Sequence, residues 1–170
     1  MPYIATSSQK YISTWLLVSA LMVFLMVIIG GITRLTGSGL SMVEWRPLLG
    51  FLPPMSDLER NRVFDLYKSS PEYIYKNHGI ELPQFKKIFF WEYFHRLWGR
   101  LIGFIFIIPL IIFLFLKQIP KQTLNKIILM LILGSLQGFI GWWMVKSGLV
   151  NDPSVSQYRL TVHLSNALLI

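Results

Sequence analysis

Apolar and polar positions divide the chain into long uncharged runs separated by charged loops. Residues 11–33 carry no charged side chain. As a helix they extend ~34 Å, enough to cross the ~30 Å hydrocarbon core of a bilayer. The second run, residues 91–116, has an uncharged core at 101–116 and a polar outer part. A third run occupies 127–145 between Lys126 and Lys146, and a fourth stays largely apolar over 158–170. The pattern predicts an all-α fold, a polytopic membrane four-helix bundle, because lipid obliges each span to satisfy its own backbone hydrogen bonds. The fourth run covers only ~20 Å at the helical rise. The expectation is therefore a truncated last helix, in a chain that is part of a longer or split product.

The loops orient the bundle. The loop between the second and third spans carries Lys117, Lys121 and Lys126 and no acid, which marks it as cytoplasmic, or matrix-side in an organelle. Residues 1–10 are then inside as well, and the loops at 34–90 and around Asn151, Asp152 and Pro153 are outside. The amino-terminal run is too long for the ~7–15-residue apolar region of a cleaved signal. A net charge of +8 would suggest nucleic acid in a soluble protein, but these bases sit in loops beside apolar runs, so no nucleic-acid partner is expected. Cysteine is absent, which excludes disulfides and thiolate metal sites. Within the outer loop, Ser56 and Glu59 form a capping-box pattern that predicts a helix over 56–68. A second short helix is expected over 71–77, stopped by Gly79. The pair serves either as a cap packed on the bundle or as a lid.

Ionisable groups inside a span are costly and usually functional. Glu92, His95, Arg96 and Arg100 open the second span. Glu92 and His95 share a helix face, with the arginines beside it. His95 stands ~33 Å above Lys117 along a helix, at the outer edge of the hydrocarbon. His163 follows Arg159 by ~6 Å in a span that starts outside, so it reaches the same depth. Two imidazoles at one depth on separate helices are what a bis-histidine haem iron requires, and Arg96, Arg100 and Arg34 are candidates for its propionates. The plainer alternatives are headgroup contacts for each histidine and snorkelling for the arginines. His78, in the loop, reads as a surface residue. Gly99 with Gly103, and Gly134 with Gly138 and Gly141, form small faces that permit helix approach or make room for a flat macrocycle. Trp142 and Trp143 read as interfacial anchors.

Several motifs resemble those of the haem A synthase family. The segment Gly-Gly-Ile-Thr-Arg-Leu-Thr-Gly-Ser-Gly-Leu-Ser at 30–41 is similar to the exit from that family's first helix. Glu92, His95 and Arg96 match its Glu-x-x-His-Arg motif, Gln137 and Gly138 with 141–145 resemble the end of its third helix, and Val162, His163 and Leu164 its fourth-helix histidine. The cysteine-free outer loop resembles the proteobacterial and mitochondrial branch. The resemblance implies an eight-helix protein of two similar four-helix halves, of which this chain is the amino-terminal one. It implies a multi-pass protein of the cell inner membrane, or of the mitochondrial inner membrane in a eukaryote. His95 and His163 become axial ligands of haem O, and Glu92 a catalytic or substrate-orienting carboxylate able to pass protons. A haem b is expected in the other half. The implied reaction is the oxygen-dependent oxidation of a haem O methyl group to the formyl of haem A, for cytochrome oxidase. The implied partners are membrane lipid, a ferredoxin-type electron donor, a haem O synthase and a second copy of the chain. The competing readings are a b-type cytochrome that only transfers electrons, an inactive fragment, and a transporter or structural subunit without haem.

Overall fold

A computed structural model describes residues 7–44, 51–150 and 153–170. Residues 1–6 of the expected inner terminus, and Asn151 and Asp152 of the second outer loop, lie outside the described residues. The chain order is α1 (Ser7–Leu35), α2 (Asp57–Lys68), α3 (Pro71–Tyr75), α4 (Leu82–Phe115), α5 (Lys121–Gly148) and α6 (Gln157–Leu169), with no strand among the described residues. Three of these helices are long and apolar enough to cross a membrane: Ser8–Leu35 within α1, Leu82–Phe115 and Lys121–Gly148. The protein is a polytopic helical membrane protein. With 13 residues, α6 spans ~20 Å and falls short of that length.

Helices α1 and α4 pack as an antiparallel pair. The buried residues of α1 are Ile12, Trp15, Ser19, Met22, Ile29 and Thr33, which follow the alternating three- and four-residue spacing of a helix–helix seam. The opposite stripe, Leu17, Leu21, Phe24 and Ile28, is exposed. Three hydrogen bonds fix the register. Trp15 Nε1 donates to the Ile105 carbonyl at 2.9 Å, Trp98 Nε1 to the Met22 carbonyl at 3.0 Å, and Thr33 Oγ1 to the Trp91 carbonyl at 3.3 Å. In lipid each such bond contributes about 1 kcal/mol.

Helices α5 and α6 form a second antiparallel pair, held by Asn166 Nδ2, which donates to the Leu133 carbonyl at 3.1 Å and to Gln137 Oε1 at 2.8 Å. The two pairs meet at both ends. At one end, Ile12 and Trp15 of α1, Leu110 of α4 and Ile127 of α5 share one apolar cluster. At the other end, Leu40 lies so close to Gly148 that a Cβ there would come within 2.8 Å of its methyl groups.

Helix α1 ends in a Schellman turn. Gly37 takes a φ of +64°, its N–H bonds the Arg34 carbonyl at 3.3 Å, and the Ser38 N–H bonds the Thr33 carbonyl at 3.0 Å. Helix α4 ends the same way, with Lys117 at a φ of +52° in the place glycine would favour.

Several element boundaries differ from the sequence expectation. Helix α4 begins at Leu82 rather than 91, because Pro83 suits the first turn and the Gln84 side chain accepts the Glu81 N–H at 2.8 Å. Its first turns therefore stand beyond the apolar span and carry the outer cap. Helix α5 extends the 127–145 span at both ends, and α3 stops at Tyr75 rather than 77. The expected capping box of α2 is half formed. Ser56 accepts the Glu59 N–H, but the Glu59 carboxylate turns to Arg62, which also grips Glu44 through two 2.9 Å bonds. Phe64 and Tyr67 of α2 stack on Phe85 of α4 at 4.9 and 5.0 Å, so α2 and α3 share a core with the start of α4.

Candidate functional site

Each of the two helix pairs turns one imidazole towards a glycine of its partner helix. A Cβ on Gly30 of α1 would lie 3.3 Å from His95 Nε2, and a Cβ on Gly141 of α5 would lie 3.0 Å from His163 Cε1. The Gln137 amide nitrogen lies 3.3 Å from His163 Nε2, while His163 Nδ1 is buried with no hydrogen-bond partner. A buried ring nitrogen with no protein partner costs free energy unless something else occupies it. His163 carries such a nitrogen, and His95 packs against a glycine in the same way on the other helix pair; imidazoles are a donor type that suits a haem iron.

Glu92 lies one turn from His95 and is 2% exposed. Its Oε2 accepts the Ser41 hydroxyl at 2.7 Å and the Met42 N–H at 2.9 Å, and its Oε1 is bonded to Arg96. Arg96 also donates to the Met42 carbonyl at 3.4 Å. Glu92 and Arg96 together therefore hold the segment that follows the α1 turn, gripping Met42 by both its N–H and its carbonyl. Three donors on one carboxylate make Glu92 an anchor of this segment. The guanidinium of Arg100 sits 5.3 Å above the Phe51 ring, and the neighbouring Tyr93 hydroxyl donates to the Phe51 carbonyl at 2.6 Å. Arg34 is exposed at the end of α1. His78 is exposed, with its ring tilted 46° to that of Tyr73 at 5.7 Å. Trp143 is covered by Arg159, whose guanidinium lies 4.3 Å over the indole and donates to the Trp143 carbonyl.

The structure thus gathers Glu92, His95 and Arg96 on α4 and sets His163 on α6, packed against Gly141 of α5. It adds Gln137 and Asn166, linked to each other and, through Gln137, to His163. Asn166 carries a sequence signal that a search for ionisable groups passes over. It is an amide in an apolar run, one turn from His163 and on the same face.

The fold defines the class, a polytopic all-α membrane protein built from paired antiparallel helices. The chain belongs to the cytochrome oxidase assembly protein family, whose model matches residues 13–170. It is 52% identical over 162 residues to a protein of Nitrosospira multiformis named "Heme A synthase", covering 95% of this chain and 46% of that one. Proteins of the same name from Paramagnetospirillum magneticum and Rickettsia felis are 47% and 52% identical, over 98% and 95% of this chain and 47% and 48% of theirs. The chain spans about half the length of the curated relatives it matches. No solved structure matches it.

Proposed function

We propose that this chain supplies the haem O-binding part of a haem A synthase, with His95 and His163 as the axial ligands. One observation carries the reading. Two imidazoles come from different helix pairs, each packed against a glycine of its neighbouring helix, and one of them holds a buried nitrogen that no protein group satisfies. The names of the relatives supply the substrate class. When bound, haem O supplies the methyl group whose oxygen-dependent oxidation gives the formyl of haem A.

The chain's own residues bind and orient. His95 and His163 fix the ring between the helix pairs, and Gln137 steadies the His163 ring. Arg100 and Arg34 are the propionate partners in this reading. Arg96 is engaged with Glu92 and contributes its charge close to the site. Glu92 keeps the outer segment closed over the site and so limits water there. A catalytic proton transfer by Glu92 would require it to give up at least one of these three donors. The rest of the reading comprises a cytoplasmic amino terminus in an inner membrane, a haem b in a companion half, a ferredoxin-type donor, and contacts with a haem O synthase or a second copy.

The test is spectroscopic. The purified full-length chain loaded with haem is expected to show a low-spin bis-histidine spectrum, which His95→Ala and His163→Ala each abolish. An unchanged spectrum in either variant removes that residue as a ligand. Absence of haem binding by the native chain removes the proposal.

A further inference from the structure

The two helix pairs repeat one construction in the same register. In the first, the Trp98 indole crosses to the Met22 carbonyl. Three residues before Trp98 stands His95, and eight residues after Met22 stands Gly30, the glycine against which His95 lies. In the second, the Asn166 amide crosses to the Leu133 carbonyl. Three residues before Asn166 stands His163, and eight residues after Leu133 stands Gly141, the glycine against which His163 lies. The residues before the two glycines, Ile29 and Ile140, are both buried. Each unit is thus a donor that locks two helices, an imidazole one turn away, and a glycine facing it from the neighbouring helix.

We infer that Gly30 and Gly141 are equivalent positioning residues, each setting the depth and plane of one haem-ligating imidazole. The inference rests on the reading of His95 and His163 as ligands. Its physical basis is the space a methyl group would need. At Gly30 a Cβ would meet His95 Nε2 at 3.3 Å and Cδ2 at 3.7 Å. At Gly141 it would meet His163 Cε1 at 3.0 Å and Nδ1 at 3.6 Å. The atoms met belong to rigid rings rather than to the tips of flexible chains, and the His163 ring is already approached by Gln137 from its Nε2 side. An added methyl therefore moves the ring. Helix approach alone does not account for this placement. Gly31, Gly134 and Gly138 lie on the same two helices, and a Cβ on any of them meets nothing within 4 Å.

The experiment uses the full chain purified in detergent and titrated with ferric haem b, read by the Soret band, the electron paramagnetic resonance g-values and the haem stoichiometry. Gly30→Ala and Gly141→Ala are expected to weaken haem binding about tenfold, as overpacking by one methyl group does, and to convert part of the low-spin signal to high-spin. The larger change is expected at Gly141, where the contact is shorter. Gly31→Ala and Gly138→Ala are expected to match the native spectrum. Free imidazole is expected to restore the low-spin signal in both positioning variants, because a ligand has moved while the slot persists. The assignment is overturned if Gly30→Ala and Gly141→Ala behave like Gly31→Ala and Gly138→Ala. It is equally overturned if free imidazole restores neither variant, since the glycines then serve the slot itself. His95→Ala and His163→Ala, run alongside, separate this outcome from failure of the ligand reading. If they keep the native spectrum, the histidines are not ligands at all.

Discussion

The Trp15 indole donates a 2.9 Å hydrogen bond to the Ile105 carbonyl, on another helix 90 residues away. Ile105 precedes Pro109 by one helical turn, and Pro109, inside α4, has no N–H to offer it. In lipid no water can replace that donor. The indole of α1 therefore repairs a fault in α4 and joins the two helices by the same bond.

The pair is expected to be energetically coupled. Trp15→Phe should destabilise the chain by about 1–2 kcal/mol in the native background, and by less when Pro109 is replaced by Ala. Denaturation of both single variants and the double variant in detergent measures the coupling. Additive effects would show that the indole contributes packing only.

Glu92→Ala removes three hydrogen bonds and leaves Arg96 without its carboxylate. The expected loss is on the order of 3 kcal/mol. Hydrogen exchange gives a local readout, since the Met42 amide donates to Glu92 and should lose protection. Loss of haem A formation with Met42 still protected would instead assign Glu92 to the chemistry.

Asn166→Leu cuts the two bonds that Asn166 makes to α5 and leaves the Gln137–His163 contact to join the helices there. It is expected to cost about 1–2 kcal/mol. Haem-loaded protein should show a changed low-spin signal, because the histidine ring loses its steadied amide neighbour. An unperturbed signal would mean that Gln137 holds its place without Asn166.

Glu72 gives the outer cap a pH dependence. Burial pushes its carboxyl from an ordinary 4.5 up to about 7, repulsion from Glu92 adds to this, and the Tyr67 hydroxyl and Lys76 oppose it. A carboxyl that holds its proton more tightly when folded stabilises the cap fully below pH 4.5, and the contribution is lost as pH rises through about 7. The cap around Tyr67, Glu72 and Asn77 should therefore loosen as pH rises from about 4.5 to about 7, and Glu72→Gln should flatten the profile. Amide exchange in α2 and α3 across that range decides it, and the same slope in both proteins would exclude Glu72 as the cause.

The spans and both histidines were legible because charge is excluded from lipid, so runs such as 11–33 and interruptions such as Glu92 stand out in the sequence. Which face of α1 packs was not legible. Leu17 and Phe24 are exposed, Ile12 and Met22 meet protein, and in a membrane protein both faces take the same apolar residues. Only Ser19, Gly30 and Thr33 mark the packed side. The start of α4 at Leu82 was hidden because its first turns are polar and leave the hydropathy signal, although Pro83 and Gln84 spell a helix start. The engagement of Glu92 with Ser41 and Met42 joins residues some fifty positions apart, a closure no local pattern encodes. Residue chemistry identified Glu92 as unusual, and only the tertiary packing assigned its partners.

Leu40 rests on Gly148 of α5 while Ser41 and Met42, the next two residues, are tied to Glu92 of α4. Three consecutive residues thus act as a spacer bar between the helix pairs. The spacing between the helices that carry His95 and His163 is gauged at this end by the bar, in addition to the packing of the helices themselves. A change as small as a methyl group on Gly148 should therefore be felt across the gap between the two imidazoles, far from either ring.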